Sequence, residues 1–375
     1  MKIIGVALLE GDRDVVFPGP YLEAWAEPDL GSRMDFFRVS LIRIDTDEGI
    51  VGYGPHSGGL DEGVRKALIG RDPLKIGQFW YDYMDWHGES VDRSSYGGIY
   101  IALWDIAGKA AGLPISVMLG AKNDKMPVYA ATTRLQDKEA QVETVLQLQS
   151  EGFRAVKLRM HRQNFRDDLV VMEAASRACP DLFLMVDANQ NNFARGYNYW
   201  DMETSSLVAR ELQAMGFALL EEPRPRNDVE GLAKLAAEND ILIAGGEHSP
   251  NIHAFSDHIK CNAYDVLQPD PIIGDFGISG LQKLGTISEY LGKQFMPHVC
   301  SLGSFALSFA AALHVVSNFP NCPYLEFPHD PPFVTIQSQQ FYINQQFKPD
   351  KDGCVKLPLA PGLGLEVYED AIFER

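Results

Sequence analysis

Several absences bound this chain before any motif is read. No stretch approaches the roughly 20 uninterrupted apolar residues of a membrane span. The first apolar run, Ile3 to Leu9, is short, meets Glu10, Asp12 and Arg13 at once and lacks a small-residue cleavage site, so it reads as a first strand and not a leader. The expected location is the cytoplasm. Positive charge is scarce: 33 Lys and Arg stand against 51 Asp and Glu, a formal net charge of −18. Such a field repels phosphate backbones and anionic lipid, and no local basic patch offsets it, which argues against nucleic-acid and membrane partners. An anionic substrate must then be attracted locally, by a metal ion or by a few placed Lys and Arg side chains. Cysteine is sparse as well. Cys179, Cys261, Cys300, Cys322 and Cys354 are scattered and free of CxxC or CxxH spacing, the pattern of reduced packing thiols and not of a disulfide frame or zinc site. No GxGxxG follows the first strand of any unit, which disfavours an open dinucleotide-binding sheet.

What is present describes two textures. The 375 residues are 46% hydrophobic and 22% charged, a globular composition with room for a barrel of about 250 residues and a second unit. Residues 37–53 alternate apolar and polar around Asp47-Glu48-Gly49, which predicts an antiparallel hairpin with one buried face. A helix follows over Ile99 to Ala111, stopped by Gly112-Leu113-Pro114. Residues 1–125 therefore read as a small α+β domain. From Val128 the chain changes to short apolar runs, each followed by a helix-period stretch: VYAA at 128, AVKLRM at 155, LFLMVDAN at 182, FALLEEP at 217, ILIAGGE at 241, DVLQPD at 265, KQFMPH at 293 and PYLEFP at 323. Eight such units over 126–340 predict a closed α/β barrel. The Pro- and Gly-rich segment 341–375 is expected to pack back on the first domain.

Each run ends in polar residues that packing does not require: Lys157 and Arg159, Asp187 and Asn189, Glu221 and Glu222, Glu247, Asp270, His298, Glu326. One such residue alone reads as a helix cap or a solvated acid. At successive strand ends, roughly 23 to 34 residues apart, they converge on the one face where the carboxyl ends of barrel strands open. Asp187, Glu221 and Glu247 offer three hard oxygen ligands, the usual way to hold Mg2+. Asp270 can fix the tautomer of His298 and raise its basicity, forming a general base, and a purely structural buried histidine is the plainer alternative. Glu326 can hydrogen-bond a substrate oxygen as a neutral acid, with Lys157 and Arg159 supplying positive charge opposite. Together these groups describe proton abstraction next to a carboxylate. His248 either touches substrate or supports Glu247. His161, in the charged stretch HRQNFRDD, reads as solvated surface.

The ordered set KLR at 157, VDANQ at 186, EEP at 221, GGEH at 245, QPD at 268, PH at 297 and LEFP at 325, after ALWDIAGKAAGLP at 102, resembles the enolase superfamily and within it the mandelate racemase subgroup, which includes the acid-sugar dehydratases. The resemblance spans nearly the whole chain. It implies an α/β fold, a (β/α)7β modified TIM barrel with an N-terminal α+β capping domain completed by the C-terminal segment, in a homo-oligomer. It implies one Mg2+ per subunit on Asp187, Glu221 and Glu247, the dyad Asp270 and His298, a carboxylate-contacting Lys157, a substrate-contacting Asn189 and the acid Glu326. By family pattern, capping-domain stretches Tyr21 to Trp25 and His56 to Gly59 would set specificity. One departure matters: where the pattern commonly has a second lysine as the opposite-face base, this chain has Arg159, which is effectively always protonated. A single base favours β-elimination, so the expected activity is a dehydratase acting on a small sugar acid, an aldonate or aldarate, to give a 2-keto-3-deoxy acid. A five- or six-carbon mono-acid, L-rhamnonate-like or L-fuconate-like, is the preferred substrate. A racemase or epimerase of 2-hydroxy acids and a non-catalytic sugar-acid-binding scaffold are the alternatives. A cycloisomerase is disfavoured because Asp270 stands where that subgroup has lysine.

Overall fold

The computed structural model describes residues 1–26, 33–56, 60, 62–79, 94–191, 199–274, 276–300 and 302–374. Ser57 to Gly59, part of one expected specificity stretch, lie outside them. The N-terminal unit opens with strand β1 (Ile3–Glu10), followed by β2 (Val15–Tyr21), β3 (Met34–Phe37), β4 (Ser40–Thr46) and β5 (Val51–Pro55). β4 and β5 form the hairpin read from the alternation, with Gly49 at φ 78° in its turn, and β1 adds antiparallel to β4. The helix runs Ser94–Ala111, longer than its apolar pattern at the N-terminal end. It lies close on β5 because neither surface has side chains at the crossing: a Cβ on Gly54 would stand 1.9 Å from the Gly98 carbonyl.

Eight parallel strands follow, β6 (Lys125–Ala131), β7 (Ala155–Arg159), β8 (Phe183–Asp187), β9 (Leu219–Glu221), β10 (Leu242–Gly245), β11 (Val266–Leu267), β12 (Gln294–Phe295) and β13 (Leu325–Pro328). All eight coincide with the apolar runs. The ladder passes β12-β11-β10-β9-β8-β7-β6-β13. Inside it, Tyr129, Ala131, Ala155, Met185, Leu219, Ala244, Val266 and Met296 form one buried cluster with Tyr324 packed against it. Side chains from around the ring meet in that cluster, so the sheet is curled into a filled barrel. Where β12 and β13 meet, Phe295 N–H donates to Asn321 O at 3.0 Å, and Val299 N–H donates to the Glu326 carboxylate at 3.2 Å. The outer helices begin on Asp and Asn caps: Asp137, Asn164, Asp201 and Asp228 each accept a first-turn backbone N–H.

The C-terminal segment touches both units. Strand β14 (Cys354–Lys356) pairs antiparallel with β6. Further on, buried Asp105 in the long helix accepts Leu363 N–H at 2.9 Å, Tyr53 N–H at 3.1 Å and Lys109 Nζ at 2.6 Å, fastening helix, hairpin and tail with one carboxylate. No helix among the described residues is long and apolar enough to cross a membrane.

One buried histidine ties helix Phe305–Val316, whose residues are all buried, to its surroundings. His314 Nδ1 accepts Ser116 N–H and its Nε2–H donates to Leu363 O, and burial lowers its pKa to about 4. The folded state holds the neutral ring, so this site costs nothing above pH 6.5 and costs stability progressively as pH falls toward 4, where the unfolded state binds the proton first. Urea unfolding at pH 5 should show about 2 kcal/mol less stability from this group than at pH 7.5. In His314→Gln that part of the pH slope should vanish.

Candidate active site

The strand-end residues converge as the periodicity predicts. Lys157 and Arg159 lie on β7, Asp187 ends β8, Glu221 ends β9, and Glu326 lies on β13, while Asn189, Glu247, Asp270 and His298 stand two or three residues past their strands. Two of the turns leave the strand through the left-handed region, at Asn189 (φ 47°) and Glu222 (φ 45°). The turn that aims Glu247 needs glycine outright: Gly246 has φ 115°, and a Cβ there would lie 2.4 Å from the Phe255 ring.

The result is a network of buried charges. Lys157 Nζ is 2.8 Å from both Glu221 and Glu326. Arg159 pairs with Asp187 and donates to Thr132 O at 2.6 Å, with its guanidinium 4.8 Å from the Trp25 ring centre. Asn189 donates to Asp187 from its side chain (3.0 Å) and its backbone (2.8 Å). His298 Nδ1 stands 2.6 Å from Asp270 and Nε2 3.3 Å from Glu247, while His248 lies 2.9 Å from Glu247. Burial alone would lower the His298 pKa, but the charges of Glu247 and Glu326 and the Asp270 hydrogen bond more than reverse this and hold it well above its usual value. Burial raises the Glu221 carboxyl to about 7, Lys157 opposing and the carboxylates of Asp187, Glu326 and Glu247 adding to the rise. For Glu326 burial is outweighed by Lys157 and His298, and its carboxyl sits below the usual range. This favours the ionised form of Glu326, 2.8 Å from Lys157, where its place in the sequence suggested a neutral acid.

The cavity above this network measures about 310 Å³, at the small end of ligand pockets. Of the sequence-predicted residues, Arg159, Asn189, Glu247, His248, His298 and Glu326 line it, with Lys157, Asp187, Glu221 and Asp270 fully buried beneath. Tyr21 and His56 do not line it. Tyr21 is fully buried, its ring 4.6 Å from Phe17 and 5.6 Å from Phe333, and its segment reaches the cavity through Glu23 and Trp25 instead. Cys300 also differs from its expected packing role: it lines the cavity with Sγ 3.3 Å from Asp270, its thiol pushed up to about 12 by burial and by that carboxylate. His161, read as surface, is 3% exposed, its Nδ1 against Ala188 O. Gln268, which donates to Glu221 at 2.8 Å, was legible only as part of the QPD run. A larger cleft of about 1040 Å³ beside Arg43, Tyr53 and Glu369 opens to solvent and holds no comparable set of groups.

The carboxylates fit a divalent cation. Glu221 Oε1 is buried and without a hydrogen-bond partner, a position a hard cation satisfies. Asp187, Glu221 and Glu247 are nonetheless held apart, each by its own cationic or imidazole partner. Among the described residues the tightest ligand grouping is Asp270, His298 and Cys300, within 4.8 Å of one another. Lys157 bonds both Glu221 and Glu326, so Lys157→Ala should cost about 3–5 kcal/mol in urea unfolding at pH 7, because it leaves two buried carboxylates without that partner. A loss below about 1 kcal/mol would show that the pairings contribute little.

Comparison with known proteins agrees with this architecture. Residues 140–371 match the family described as Enolase C-terminal domain-like, and residues 32–120 match the Mandelate racemase / muconate lactonizing enzyme, N-terminal domain. A D-galactarolactone cycloisomerase of Agrobacterium fabrum is 31% identical over 89% of this chain and 90% of its own. An L-talarate/galactarate dehydratase of Salmonella typhimurium is 33% identical over 70% of this chain and 64% of its own. Among solved structures, a racemase from Streptomyces coelicolor with bound magnesium shares the fold at a TM-score of 0.81 and 22% identity, covering 99% of this chain and 98% of that one. The chain belongs to the enolase superfamily, in its mandelate racemase subgroup, among relatives that process sugar acids.

Proposed function

We propose that this protein is a Mg2+-dependent dehydratase of a sugar acid, with one Mg2+ per subunit held by Asp187, Glu221 and Glu247. The observation that supports this reading is the asymmetry of the bases. His298, oriented by Asp270, borders the cavity, while the position where the family pattern has a second base is Arg159, which borders the same cavity as a permanent cation already engaged by Asp187 and Trp25. Lys157, the other basic group, is fixed between two carboxylates that raise its pKa far above the ordinary value against burial. One base serves elimination, whereas racemisation needs an acceptor on each face.

In this mechanism His298 acts in its neutral form, which the Glu247 charge disfavours until that carboxylate is engaged elsewhere, and its Nε2 takes the α-proton while the C–H electron pair moves into the C1–C2 bond of an enediolate. The bond from C3 to its hydroxyl oxygen then breaks, and the oxygen leaves as water with the proton carried by His298. The enol left at C2–C3 tautomerises to a 2-keto-3-deoxy acid. Lys157 and Arg159 place fixed positive charge near the substrate carboxylate, and Asn189 and His248 border the same space. Mg2+, held by Asp187, Glu221 and Glu247, would supply Lewis-acid charge that stabilises the enediolate.

A second reading is supported by the cycloisomerase relative. If the oxygen on C3 belongs to a ring, the same elimination opens the ring, the leaving group stays attached and the product is an isomer. Aldonates, aldarates and their lactones incubated with Mg2+ and followed by mass spectrometry separate the two: loss of water marks the dehydratase, an unchanged mass the cycloisomerase. His298→Asn should lower the rate by about 10²–10⁴-fold in either case. Exchange of the α-hydrogen with deuterium oxide that yields the opposite configuration without elimination would overturn both.

The metal assignment has its own check. Saturating Mg2+ at about 100 times its Kd should stabilise the EDTA-treated protein by about 2.7 kcal/mol, read as a rise in melting temperature. Glu221→Gln should lose most of that rise.

A further inference from the structure

The walls of the cavity differ in chemistry according to the unit that builds them. The barrel supplies the reacting groups, with Lys157, Asp187, Glu221 and Asp270 fully buried at its floor. The N-terminal unit supplies Glu23 and Trp25, on a segment pinned to the barrel mouth by Ala24 N–H donating to Thr133 O at 2.7 Å. Among the described residues this unit brings no lysine or arginine to the lining. Among the described residues the one permanent cation bordering the cavity is Arg159, whose guanidinium is already bonded to Asp187 and Thr132 O and covered by the Trp25 ring.

A substrate that places its reacting carboxylate on the barrel floor must extend its other end toward the N-terminal unit. Among the described residues, that end meets a carboxyl group and an indole, and no unengaged guanidinium or ammonium. Hydroxyl groups suit such a wall, since a carboxylate accepts their hydrogen bonds and an aromatic face packs on carbon-bound hydrogens. A second carboxylate does not, because it would lie beside Glu23 without a countercharge, and like charges in contact across a partly buried surface are costly. We propose that Glu23 and Trp25 form a selectivity wall that receives the neutral polyol end of a monocarboxylic sugar acid and excludes dicarboxylic ones. The proposal rests on the sugar-acid reading of the site and narrows its substrate class to aldonates. It separates this chain from its relative named for talarate and galactarate, which are diacids.

The test uses matched pairs that differ only at the last carbon: galactonate with galactarate, gluconate with glucarate, mannonate with mannarate. Burial raises the Glu23 carboxyl to about 7, with Arg159 opposing, so binding and turnover are measured at pH 8.5, where Glu23 is a carboxylate. The Mg2+-loaded protein should bind at least one aldonate, by isothermal titration, at least tenfold more tightly than its aldarate partner. Glu23→Gln, which keeps shape and hydrogen bonding but removes the charge, should shrink that ratio about tenfold, chiefly by admitting the diacid. Glu23→Leu should instead weaken aldonate binding. An aldarate bound as well as its aldonate, a ratio unchanged in Glu23→Gln, or no binding of any aldonate overturns the proposal. Selective aldonate binding without keto-acid formation would leave the wall in place and refute the dehydratase reading alone.

Discussion

The structure depends on the compensation of charge buried at the mouth of a filled barrel. Four carboxylates, Asp187, Glu221, Glu247 and Glu326, lie on or just past strands whose other residues are apolar, in a space from which bulk water is largely excluded. Left alone they would protonate or force the strands apart. Lys157 answers Glu221 and Glu326, Arg159 answers Asp187, and two imidazoles answer Glu247. These pairings offset the cost of burying the charge, and they leave Arg159, His248 and His298 bordering the cavity. Stability and chemistry here draw on one set of contacts, which makes the floor of the site rigid and leaves variation to the walls.

That division explains how relatives of one architecture carry different reaction names. Abstraction of a proton beside a carboxylate needs only the floor, namely a base held by an acid, cations and oxygen ligands. Whether elimination releases water or opens a ring depends on what the substrate presents at the next carbon, and that is selected by whatever lines the cavity from above. In this chain the N-terminal unit reaches the cavity at Glu23 and Trp25, and it is held in place by contacts far from the chemistry, including Asp105 with its three donors from helix, hairpin and tail.

The barrel strands were legible because a strand covered on both faces must be apolar throughout, and each such run is short and followed by a helical period. The hairpin was legible from strict alternation, and the floor residues from being polar where packing asks for nothing polar. The failures have equally physical origins. His161 sits in a stretch of charged residues, yet its own ring is drawn inward against Ala188 while Gln163 and Asn164 beyond it are exposed, a difference that composition cannot express. Cys300 looked like a packing thiol because a single cysteine carries no spacing signal. Tyr21 was the conspicuous polar aromatic of its segment, but β2 turns it into a core with Phe17, Phe37 and Val334, leaving Glu23 and Trp25 to reach the cavity.

By itself, then, the sequence determined the eight-strand barrel, the order of its strand-end residues and their convergence on one face, because these follow from periodicity and from the single geometry in which parallel strands can close. Only the tertiary structure decided which charge answers which. Lys157 and Glu221 are 64 residues apart, and nothing local distinguishes that pairing from one between Lys157 and Asp187. It also decided the surroundings of Glu326, where a lysine and a histidine brought from other strands favour the carboxylate, and the acidic wall at Glu23, which exists only once the N-terminal unit docks on the barrel. Hydrophobic patterning specifies which faces are buried; the partners of buried polar atoms are set by distances that appear only when those faces meet.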